Sequence, residues 1–285
     1  MKRAFHGIGG HAFSAGLVYA AFAAEPALAQ EDPSLRSDPH YRDELGVNAF
    51  TAPSIADVFQ TLDGFKPIPW AKVEPASPPL ITDDRVRYAL SFGVLIGNGF
   101  LAVEREDAKA IDRLGRELLR QARGLGVAQR VTQHGQRLLE YARRGAWDLL
   151  RKELTITQRD VENAMLDLRD DEVAHLLSLG GWLRGLEIAA ACVADNYSTE
   201  RAQRLRKLDL LDYYLDRLQT LNPRLRRRPL VALLQSGLRD VRERFQQEVP
   251  SREDIQAVYA KAQGLVGHIE GDEPASSAAG AGVDR

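Results

Sequence analysis

Residues 88–103 read YALSFGVLIGNGFLAV, and residues 176–193 read LLSLGGWLRGLEIAAACV. Neither stretch shows the single apolar stripe of a surface helix; each is apolar on nearly every side. A helix of that kind belongs in an interior, shielded by other elements. The two stretches also share a signature. Leu90-Ser91-Phe92-Gly93 recurs as Leu177-Ser178-Leu179-Gly180, at an offset of 87 positions. In that register Leu95 falls on Trp182, Asn98 on Gly185 and Ala102 on Ala189. The pair reads as the two inner rods of one helical body.

The flanking sequence supplies the shield. Residues 106–124 place Ile111, Leu114, Leu118 and Ala122 on one stripe, and residues 128–144 carry Val131, Leu138 and Ala142 before Gly145 stops the run. From Ala146 onward, Trp147, Leu150, Leu154, Thr157, Val161, Ala164 and Leu168 alternate three and four apart, a seam suited to bundle packing. The first rod spans about 83–104 with Thr82 as its cap, and the second about 170–195. Ser198 opens a leucine-rich helix that Asn222-Pro223 ends. Pro229 suits the first turn of a seventh helix, and Ser251 with Asp254 forms a capping box for an eighth. The expected fold is therefore all-α: a bundle of about eight helices in one domain over 83–270. Its halves, 83–169 and 170–270, read as two pseudo-repeated four-helix units.

The ends differ from this body. Lys2 and Arg3, the apolar run Ile8–Ala24 and the small-x-small sequence Ala27-Leu28-Ala29 have the order of a signal peptide over 1–29, cleaved before Gln30. A periplasmic or secreted protein is expected. Residues 30–82 are proline-rich, with one short helix that Ser54 starts and Gly64 ends, and Phe65, Ile68 and Trp70 suggest an extended strap laid over the bundle. Residues 271–285, GDEPASSAAGAGVDR, read as a disordered tail. Beyond residue 29 no stretch reaches the ~20 apolar residues of a membrane span, so none is expected.

Composition narrows the function. Of 285 residues, 38 are Lys or Arg and 40 Asp or Glu, a net charge of −2, which argues against a nucleic-acid binder. Cys192 is the one cysteine, so no disulfide forms within the chain; in Ala190-Ala191-Cys192-Val193 it reads as a small core residue. No phosphate loop, dinucleotide fingerprint, nucleophile elbow or haem attachment sequence is present, and no cofactor is expected.

Four groups of residues remain as candidates. Gly93, Gly97, Gly180 and Gly185 each cost about 1 kcal/mol against alanine inside a helix; they are read as helix-packing residues that allow close helix–helix approach, with a cavity between the rods as the alternative. Asn98, Trp182, Arg184 and Glu187 interrupt those rods and form the candidate ligand site, with an Arg184–Glu187 ion pair as the structural alternative. Glu172 and His175 have the Glu-x-x-His spacing of carboxylate-bridged metal bundles, although no second such pair exists. Arg224, Arg226, Arg227 and Arg228 crowd one turn and suit an anionic partner.

The stretches LSFGVLIGNGFLAVEREDAKAIDRLGRELL and HLLSLGGWLRGLEI resemble those of exported, all-helical bacterial proteins with no assigned activity, over roughly Arg85 to Asn196. The resemblance implies bacterial export and brings no catalytic residue. The leading expectation is a soluble exported protein that binds a ligand or an envelope partner without catalysis. A metalloprotein using Glu172 and His175, and an interaction scaffold using the strap or the arginine turn, are the alternatives.

Overall fold

Asp84 sets the start of the first rod. Its carboxylate accepts hydrogen bonds from the backbone N–H groups of Val86 and Arg87, satisfying two of the donors that a helix start leaves orphaned. Asp107, Ser198, Asn222 and Ser251 do the same for later helices, and the Ser251–Asp254 capping box closes in both directions. The computed structural model describes residues 61–75, 84–126, 128–167 and 171–271. The signal sequence, Thr82 and the tail beyond Gly271 lie outside them.

Eleven helices and no strand lie among the described residues. They are α1 (Trp70–Val73), α2 (Arg85–Glu104), α3 (Ala108–Gly124), α4 (Ala128–Arg143), α5 (Trp147–Asp167) and α6 (Asp171–Asp195), followed by α7 (Thr199–Leu205), α8 (Leu208–Thr220), α9 (Pro223–Arg226), α10 (Pro229–Arg244) and α11 (Arg252–Glu270). The all-α bundle expected from the sequence is the fold observed. Gly145 and Gly271 stop α4 and α11 with φ of 64° and 88°, the left-handed region that glycine enters without penalty.

Two boundaries differ from expectation. The leucine-rich helix after Ser198 is broken: Arg206 takes an extended backbone, and its Nε donates to the Phe245 carbonyl at 2.7 Å. The leucine spacing runs straight through that break, so periodicity alone hides it. The strap is not extended throughout either, since residues 70–73 wind into α1. It does lie across the bundle, with Phe65 and Val73 fully buried and Leu62 and Ile68 nearly so.

α2 and α6 form the centre, and they touch through backbone. A Cβ added at Gly93 would sit 2.0 Å from the Leu177 carbonyl oxygen; one at Gly180 would sit 2.0 Å from that of Leu90. Leu90 and Leu177, like Gly93 and Gly180, are related by the same 87-position offset. The contact is therefore self-complementary, the hallmark of a two-fold relation. Contacts advance together along both helices, from Leu90–Gly180 through Gly93–Gly181 to Gly97–Arg184, so the rods run in the same direction through the crossing. The symmetry stops there. α11 covers α6 extensively, whereas its counterpart in the first unit, α5, barely reaches α2; that role falls to α3. The two four-helix units thus share a crossing and not a packing arrangement.

The expectation about membrane spans also needs correction. Arg85–Glu104 and Glu172–Asp195 are long and apolar enough, by length and composition, to cross a membrane. Yet 83% and 72% of their apolar windows are buried against the rest of the chain, as the inner rods of a bundle require.

Candidate functional site

The glycines of the crossing sort into three kinds. Gly93 and Gly180 are at the backbone contact. Gly97 is a seat for Arg184, whose Cγ and Cβ lie 2.8 and 2.9 Å from where a Cβ would stand. Gly97 and Arg184 are themselves partners under the 87-position offset, so one helix lacks a side chain where the other carries its longest. Gly185 does not belong to the contact: a Cβ there meets nothing within 4 Å. A Cβ at Gly99 of α2 likewise meets nothing within 4 Å.

Arg184, laid over Gly97, reaches a buried polar cluster. Its Nε donates to Asn98 Oδ1 at 2.8 Å and its Nη1 to Glu187 Oε2 at 2.6 Å, while its Nη2 donates to the Val73 carbonyl of the strap. All three side chains, Arg184, Glu187 and Asn98, are at most 5% exposed. The guanidinium thus has a partner on three sides, one of them the strap. Burial raises the Tyr259 hydroxyl pKa, and the nearby Glu187 carboxylate raises it further; the hydroxyl donates to the Lys72 carbonyl at 3.0 Å. Asn98, Arg184 and Glu187 come together as the sequence suggests, and they form a clasp for the strap.

Trp182 is not part of it. Two residues along a helix turn the side chain by about 200°, so Trp182 points away from Arg184 and stacks against Tyr214 of α8, with ring centroids 5.1 Å apart. The strap is further tied by Arg201, which donates to the carbonyls of Phe65 and Lys66 at 2.6 and 3.1 Å. Lys66 and Arg151 both reach the fully buried Glu104 side chain, at 3.0 and 2.6 Å. Through Leu62, Phe65, Ile68 and Val73 the described part of the strap belongs to the core.

Glu172 and His175 do not converge. Asn222 donates both its backbone N–H and its Nδ2 to the Glu172 carboxylate, while His175 Nδ1 meets the Tyr213 hydroxyl at 2.8 Å. Each side chain is directed to a different partner in this structure. Among the described residues no group of three His, Cys, Asp or Glu could hold an ion.

One cluster escapes the sequence reading. His134 of α4 sits between two α5 carboxylates, with Nδ1 2.8 Å from Glu153 Oε1 and Nε2 2.9 Å from Asp160 Oδ2. Arg137 also reaches Glu153, at 3.3 Å. The carboxylates flank opposite edges of the ring and cannot meet at one ion; this is a cross-tie between α4 and α5. Its signal was the seven-residue spacing of Glu153 and Asp160 beside the α5 seam.

Cys192 is buried, and desolvation pushes its thiol up to about 11, so it holds its proton and is no nucleophile near neutral pH. The arginine turn is the reverse of all this: Arg224, Arg226, Arg227 and Arg228 are exposed. Arg226 Nη1 donates to the Gln219 carbonyl at 3.0 Å, and Arg228 lies 3.8 Å from Asp84. No family model, no curated protein and no solved structure matches this chain.

Proposed function

We propose that this chain is an exported, water-soluble helical protein that recognises a partner at its surface and carries out no chemistry in its interior. The observation that supports this best is the use to which the polar interior is put. Arg184, Asn98 and Glu187, the charged and amide groups most suited to a ligand, spend their hydrogen bonds on one another and on the strap. Between the rods, the space a ligand would need is taken by backbone at Gly93 and Gly180. Glu172 and Asn222 meanwhile brace an exposed turn, which leaves the surface as the place of recognition. Export rests on Lys2, Arg3, the apolar run after them and Ala27-Leu28-Ala29.

The test is native mass spectrometry of the full chain expressed in a bacterium and recovered from outside the cytoplasm. The expected species starts at Gln30 and has the mass of the polypeptide alone. A stoichiometric small molecule held through gentle desolvation would overturn the closed interior. Recovery of chain still starting at Met1 in the cytoplasm would overturn export.

A further inference from the structure

Arginine is concentrated at the end of the bundle where α2 and α6 begin. Arg85 opens α2. Arg123 lies in the last turn of α3, whose neighbouring Gly124 abuts the Tyr88 hydroxyl of α2. Arg224, Arg226, Arg227 and Arg228 fill the turn between α8 and α10, which the Arg228–Asp84 approach ties to the start of α2. All six are exposed. Of the acids beside them, Asp84 caps α2 and lies 3.8 Å from Arg228, Glu172 holds Asn222 and keeps its charge, Asp216 lies 3.2 Å from Arg217, and Glu270 stands at the end of α11; the arginines outnumber these four. Since the whole chain carries a net charge of only −2, this end stands out by arrangement and not by composition.

The turn is also built to keep its shape. Asn222 Oδ1 accepts from the backbone N–H groups of Arg224 and Leu225, each at 3.1 Å, and Glu172 grips Asn222 from α6. Leu225 packs against the core. The guanidinium groups therefore extend from a fixed backbone.

We propose that this arginine end docks on an anionic membrane surface, with phosphate-bearing lipid head groups as its ligands; the proposal rests on the surface-recognition reading above. Guanidinium forks pair with phosphate oxygens two at a time. The spread of the arginines favours lipid over an acidic peptide. At about 100° per residue, Arg224, Arg226 and Arg227 point in three directions around α9, and Arg85 and Arg123 stand on two other helices. No single stripe results for one extended chain to follow. Separate head groups can each meet a guanidinium on its long flexible stem.

The experiment is co-sedimentation of the full chain with vesicles of phosphatidylcholine, with and without about 30% phosphatidylglycerol. Each arginine near such a surface contributes about 1 kcal/mol, so Arg224→Gln with Arg227→Gln should cut partitioning about thirtyfold. Neither side chain has a hydrogen-bond or ion-pair partner among the described residues, and helicity should be unchanged. Arg143→Gln with Arg144→Gln removes the same charge at the other end of α4 and should leave binding as it was. Raising salt from about 50 to about 500 mM should abolish binding by screening. Equal binding to neutral vesicles, or equal loss in both double variants, overturns the proposal. So does binding to polyglutamate with none to vesicles, which would move this face to an acidic protein partner. Those failures leave the closed interior untouched, because its own test reads bound small molecules.

Discussion

Gly180→Ala should destabilise the protein by about 3 kcal/mol or more, whereas Gly99→Ala should stabilise it by about 0.5–1 kcal/mol. The two substitutions are chemically identical and fall on the two helices of one crossing. At Gly180 the new methyl would stand 2.0 Å from the Leu90 carbonyl oxygen. That neighbour is backbone within a helix, so relief requires the rods to separate along their whole contact. At Gly99 nothing lies within 4 Å, and alanine simply removes the entropy cost of glycine in a helix. Urea denaturation followed by circular dichroism measures both, with stability read from the midpoint at constant slope. Equal, small effects at the two positions would show that α2 and α6 do not meet as described.

Arg184→Met should cost about 3–5 kcal/mol, the penalty for stranding a buried charge. Its loss leaves the Glu187 carboxylate, Asn98 Oδ1 and the Val73 carbonyl without their donor, in a site where Glu187 and Asn98 are at most 5% exposed. Combining Arg184→Met with Glu187→Leu removes both charges and should recover more than half of that loss, since buried pairs are often replaceable by apolar groups of similar size. A double-mutant cycle on unfolding free energy is the measurement. Costs that merely add would mean that the two groups do not depend on each other. The single variant should also expose the strap, seen as faster proteolysis within residues 61–75.

The sequence carried the architecture because the forces that set it are local or periodic. Asp107, Ser198, Asn222 and Ser251 cap helices through bonds to residues two or three positions on, so adjacent letters suffice to find them. The all-round apolarity of 88–103 and 176–193 foretold burial, and the repeated Leu-Ser-x-Gly foretold a paired contact. What it could not show is which way a buried group turns. Trp182 and Arg184 look like neighbours in the chain and stand on opposite faces of α6. Gly97 and Gly185 look equivalent, yet only one receives a side chain. Arg206 breaks a helix through a bond to Phe245, far along the chain. The His134 cross-tie likewise exists only once α4 and α5 lie side by side.

Hydrogen–deuterium exchange on detergent-free protein tests the central claim most directly. If α2 and α6 are sheathed rods in contact, the amides of 90–103 and 176–193 should be the slowest in the chain, exchanging only through global unfolding. Fast exchange in either stretch, or a chain that stays in solution only with detergent, would contradict the account.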